Sequence, residues 1–256
     1  MEIFLKVIFN HYDSYLNTWL SVDPLAHKSP HQSPYVYTAN NPIRYIDPDG
    51  RSIDNFIFNE KGNYVRTEKN NDPHRLVVEN SQTGFRQSYK FADPISDPKA
   101  ITNGTINKLE FVDITKTIEM VANAGAFSSV NRENKWNYIK TESVDGGMLD
   151  FSYASIPKFF PEASYDPFHN PSSVMFIPLG DGYAYNHMNF GNFLWGAAGH
   201  SLGFNNAILG IGAHYNSLFN SHKNDYLAQF DSTDDQLSII RGANYAKSNV
   251  YRYSTR

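Results

Sequence analysis

The residues best equipped for chemistry in this chain are carboxylates and amides. Cysteine is absent from all 256 residues, which removes thiolate nucleophiles, disulfide frameworks and Cys-type zinc sites together. No His-Glu-x-x-His, phosphate loop or dinucleotide glycine pattern occurs, so no metal site is expected and the sequence leaves any cofactor unidentified. Asp150 follows Gly146-Gly147, a turn that would hold a carboxylate at a loop edge beside backbone N–H groups. It suits a general base, a metal ligand or a turn-stabilising carboxylate. Asp234 and Asp235 follow Ser232-Thr233, where acidic side chains are either ordinary helix caps or a reactive pair. Gln236 and Arg241 lie further along the same element, and Arg241 is placed to bind an anionic group or to pair with Asp234. Asn192 precedes an aromatic and glycine-rich run and suits a cap or a substrate-orienting amide. His187 and His200 match no compact ligand spacing and read as structural, while His169, His214 and His222 carry no partner signal.

These residues need elements to hold them. Residues 53–92 alternate in β fashion around two turn signals, Asn59 to Asn63 and Glu79 to Gly84, which predicts two hairpins. Ala92 to Lys99 is a breaker cluster, and a domain boundary is expected near 93–104. Ile114, Ile118, Val121 and Ala122 recur at helical spacing and predict an amphipathic helix near 108–124. Residues 148–190 read as loops and short strands. Residues 192–219 are apolar and rich in Gly and Ala, but His200, Ser201, Asn205 and Asn206 interrupt them. A membrane span takes about 20 unbroken apolar residues, so a buried helix pair is expected and no stable span. A last helix should start at the Ser232-Thr233 cap and present Leu237, Ile240, Ala243 and Ala246 or Lys247 on one face. Together these elements predict an α+β chain, with hairpins first and a mainly helical region after them.

Along Tyr12 to Ala26, then Ser33-Pro34-Tyr35-Val36-Tyr37, Asn40-Asn41-Pro42 and Asp47-Pro48-Asp49-Gly50, the chain resembles the end of an RHS (YD-repeat) protein core. In that family the core is a β-shell around a C-terminal toxin, and Pro42, Asp47, Pro48 and Gly50 fall on its self-cleavage motif. Arg51 stands where many members carry Leu. The resemblance implies a β-rich core end at 1–50, a hairpin spacer at 51–104 and a variable effector at 105–256. That last part resembles the bacterial toxin 44 family through Trp136-Asn137-Tyr138, Val144 to Asp150, Phe190 to Gly199 and Asp234 to Tyr245. It carries Leu149 and Ser152 where the family commonly has Trp and Lys. The likeness implies Asp150, Asn192 and Asp235 as site residues, with Asp234 and Gln236 beside them.

The functional expectation comes from the same resemblance. The chain would be the toxin cassette of an RHS-type protein used in interbacterial competition, secreted or delivered into neighbouring cells within the RHS shell of a parent protein. It would be neutralised by a cognate immunity protein and would hydrolyse target-cell RNA or peptidoglycan. Residues 105–256 hold 11 basic and 14 acidic residues. An acidic domain approaches a polyanion less readily than a cell-wall glycan. Two other readings stay open: a membrane-active toxin that inserts 193–215, and an orphan cassette that stays in the cytoplasm.

Overall fold

The computed structural model of the protein describes residues 53–70, 73–163, 173–219, 232–249 and 251, with two short paired strands, β1 (Tyr12–Asp13) and β2 (Thr18–Trp19). Pro42, Asp47, Pro48 and Gly50 lie outside the described residues. Both predicted hairpins are present. β3 (Ile53–Asn59) pairs antiparallel with β4 (Tyr64–Asn70), and β5 (Arg75–Glu79) with β6 (Arg86–Phe91). β3 and β5 pair in parallel, so the hairpins form one sheet of order β4-β3-β5-β6-β9, closed at one edge by β9 (Tyr183–Ala184). Gly62 turns the first hairpin at φ +79°, and its carbonyl accepts the Leu109 N–H at 2.7 Å. A side chain there would also strike the Leu109 backbone, so only glycine suits both demands.

The expected helix over 108–124 is corrected in its first part. Lys108 to Val112 form a strand, β7, and the helix α2 runs Ile114–Asn123 behind an Asp113 cap whose carboxylate accepts the Lys116 N–H at 2.7 Å. The Lys-Leu-Glu-Phe-Val stretch alternates at period two, which suits a strand and hides inside a helical window. β7 runs parallel to β8 (Val174–Pro178), every residue of which is buried.

β8 divides the interior. Val174 and Phe176 face one core with Phe190, Phe193, Met120, Val121 and Ala243, while Met175 and Ile177 face another under the sheet with Phe56, Phe58, Leu76 and Phe91. Successive strand side chains point to opposite faces, so four residues of one strand serve both cores. The hairpin segment therefore shares its core and a sheet edge with later parts of the chain.

The helices complete an α+β fold. α1 (Asp97–Thr102) fills the predicted breaker cluster, α3 (Ser129–Glu133) and α4 (Lys135–Glu142) precede the Gly146-Gly147 turn, and a π-helical turn (Phe151–Ser155) leads into α5 (Ile156–Phe159). The predicted helix pair is present as α6 (His187–Ser201) and α7 (Asn206–Phe219), but only α6 is mostly buried: among the described side chains of α7, Leu209 and Ala213 are buried while Ile211 is 71% exposed. Among the described residues no helix is long and apolar enough to cross a membrane. The last helix, α8 (Thr233–Ser248), starts at the Ser232 cap as expected. Its buried face keeps the predicted Ala243 and Ala246 but is rotated away from Leu237. Leu237 is 46% exposed, and Ser238, Ile239 and Gly242 are buried beside the two alanines. Small residues win that face because α6 lies so close: a Cβ on Gly196 would meet the Ile239 carbonyl, and one on Gly242 the Phe193 carbonyl.

Candidate functional site

Glycine-mediated contact between α6 and α8 brings the first turns of both helices to one end of the molecule. Asn186, Asn189 and Asn192 recur every third residue and share one side of α6. Across from them stand Asp234 and Asp235 in the first turn of α8. Asn192 Nδ2 donates to Asp235 Oδ1 at 2.7 Å, and Asn189 Nδ2 donates to Asp234 Oδ2 at 3.1 Å. Ser232 Oγ donates to Asp235 Oδ2 at 2.6 Å and accepts the Asp235 N–H at 3.3 Å, so the capping hydroxyl is itself held by the carboxylate. Asp235 is thus a cap and an Asn192 partner at once. Both helix N-termini add positive potential near the two carboxylates.

Three of the sequence-predicted residues, Asn192, Asp234 and Asp235, therefore converge. Gln236 follows them but turns toward α7, with its Oε1 beside Gly210. Arg241 does not reach Asp234. Its guanidinium lies 3.3 Å from the centre of the Tyr183 ring, a cation–π stack. Asp150 is held in its own loop, where it accepts the Gly146 N–H at 3.0 Å and the Tyr153 N–H at 3.3 Å and caps the π-helical turn. Burial raises its carboxyl above the ordinary range, and those two amides oppose the shift. That turn packs on α6, where a Cβ at Gly191 would meet Ser152.

The two histidines sit at opposite ends of α6. His187 is buried, its Nε2 lies 2.7 Å from the Ser152 carbonyl, and its Nδ1 has no hydrogen-bond partner among the described residues. Burial lowers its pKa, so the imidazole is held neutral.

Three residues of this junction escape a reading of the sequence. Asn186 and Asn189 carry a signal, the Asn-x-x-Asn-x-x-Asn spacing on one helix side. Asp97 carries none, lying beside a proline in what reads as punctuation. It is 1% exposed and accepts from Asn186 Nδ2 at 2.9 Å. Burial pushes its carboxyl well above the usual range, and the charges of Asp93 and Asp234 add to this.

In chemical terms the junction offers two half-buried carboxylates whose donors among the described residues include asparagine amides and the Ser232 hydroxyl. Such groups can take a proton, and the amides can bind hydroxyl or carbonyl groups. Among the described residues no three His, Asp or Glu side chains group to hold a metal ion. A separate cleft of about 450 Å³, lined by Asp113, Lys116, Phe159 and Phe160, takes none of these residues. No family model matches the chain, and neither a curated protein nor a solved structure matches it.

Proposed function

We propose that the chain is the toxin cassette of an RHS-type protein and acts as a carboxylate-dependent hydrolase on the glycan of peptidoglycan. The observation that carries this reading is the pairing of Asn192 with Asp235 and of Asn189 with Asp234 at one helix junction. Asn192, Asp234 and Asp235, three of the five residues singled out by resemblance to the toxin 44 family, thus meet in space. Their partners favour a glycan over RNA. Carboxylates satisfied by amides offer a phosphate backbone repulsion, whereas carboxyl groups are the standard tools of glycoside cleavage and amides suit sugar hydroxyls. Delivery to a neighbouring cell and restraint by an immunity protein belong to the same proposal. Insertion of 193–215 into a membrane is disfavoured, because α6 and α7 are separate helices and α6 carries core residues Phe190, Phe193 and Leu194.

The test is expression of the full chain with and without a periplasmic leader, monitoring growth. The full chain is needed because residues 53–91 share a core with the rest. Arrest with the leader alone supports the glycan; arrest without it identifies RNA or another cytosolic target and overturns the choice. In the toxic compartment, Asn192→Ala and Asp235→Ala should each reduce activity by about 100-fold, as loss of a proton-transfer group or its holder does. Full toxicity of both variants sinks the site.

A further inference from the structure

Asp97 is the one carboxylate buried among the described residues. A carboxyl group out of water is costly, and an apolar residue of similar size would satisfy packing at less expense. Its hydrogen bonds show what it does. Oδ1 accepts from Asn186 Nδ2 at 2.9 Å, and Oδ2 accepts the Asp93 N–H at 3.3 Å. Asn186 caps α6, where its Oδ1 accepts the Asn189 N–H at 2.9 Å. Asn189 is itself 1% exposed and donates to Asp234.

An asparagine side chain has two ends of nearly equal size, one a donor and one an acceptor. Nothing in its shape decides which end faces the helix. An acceptor at Asp97 decides it, because the Nδ2 end is drawn there and the oxygen is left for the α6 amide. With the first turn of α6 fixed, Asn189 is set opposite Asp234. We infer that Asp97 is a positioning residue of the α6–α8 junction, which orients Asn186 and Asn189 and through them the carboxylate of Asp234. The segment that reads as an interdomain stop thereby supplies part of the site. Its consequence for activity rests on the hydrolase reading; the orienting role does not.

The test uses the full chain and its Asp97→Ala, Asp97→Asn and Asn186→Ala variants. Two readouts are taken: the assigned side-chain amide resonances of Asn186 and Asn189, and release of soluble fragments from purified peptidoglycan sacculi. In Asp97→Ala the Asn189 amide resonances should move together with those of Asn186, and fragment release should fall roughly 10- to 100-fold, the usual cost of removing a group that orients a site residue. Asp97→Asn keeps an acceptor oxygen, so it should move both resonances less and retain more activity. If Asp97→Ala does not fold, Asp97→Asn and Asn186→Ala carry the same comparison. Movement of Asn186 with Asn189 unchanged overturns the inference. If Asn189 responds while Asp235→Ala still digests sacculi fully, the orienting role stands and the site assignment fails.

Discussion

On the outer face of the five-stranded sheet Glu68 and Glu79 each meet two guanidinium groups, whereas at the α6–α8 junction Asp234 and Asp235 meet asparagine amides. Arg66 and Arg86 hold Glu68 at 2.6 and 2.8 Å and Glu79 at 3.1 and 2.5 Å. The hydrogen bonds from Arg86 and Arg66 keep the Glu68 carboxyl below its ordinary value. Full-charge neutralisation of this kind removes a carboxylate from proton chemistry. An amide donor orients a carboxylate without cancelling its charge, and the donors seen among the described residues at Asp234 and Asp235 are amides and a hydroxyl. The same residue class is ion-paired in one place and amide-bound in the other, and on the proposed reading the partner decides which can do chemistry.

The comparison depends on α6 and α8 staying in contact, and its largest test is steric. Gly242→Val would drive a branched side chain into the Phe193 carbonyl. Overpacking against backbone should cost about 3 kcal/mol, read as a lowered urea midpoint, and should also abolish toxicity. A substitution on the sheet's outer face has no such reach. A fully stable Gly242→Val would mean that the junction tolerates separation.

A smaller effect separates capping from chemistry at Asp150. Asp150→Ala removes the acceptor for the Gly146 and Tyr153 amides and should destabilise the chain by about 1 kcal/mol, a normal cap loss. If Asp150 is only a cap, toxicity at a temperature well below the melting midpoint should stay near the wild-type level. Loss of activity on the scale of Asp235→Ala would extend the site to the π-helical turn.

The range of each signal decides how much of this is legible in the sequence. The hairpins, the α6–α7 pair and the Ser232 cap are local, written in alternation, turn residues and cap chemistry, and each can be read directly. The β7 strand is hidden because its five residues continue smoothly into a helical period. The buried face of α8 misleads for a related reason: hydrophobicity points to Leu237 and Ile240, but close approach to α6 rewards Ser238 and Gly242. Asn192, Asp234 and Asp235 come forward mainly by resemblance, since acidic residues at a helix start look like caps, and Asp235 is one. Asp97 cannot be read at all. Its partner Asn186 stands 89 positions away, and only the fold reveals that a residue beside a turn-forming proline is buried.

The smallest effect is expected on the sheet, with a sign that sharpens the contrast. Glu68 is depressed below its ordinary 4.5, so its contribution is present above that pH and is lost as pH falls through its lower folded value. Asp97 has the opposite sign. Burial raises it above its ordinary 3.8, so its penalty is absent in acid and grows as pH rises from that value toward the folded one. Arg86→Gln should therefore change the thermal midpoint little at physiological salt, because exposed pairs are screened. The difference from wild type should widen in low salt at neutral pH and close once Glu68 is protonated. Asp97→Asn compared in the same series should instead gain on wild type as pH rises. Two variants whose stability differences move the same way with pH would show that both carboxylates are held by one kind of partner, and the distinction between sheet and junction would not stand.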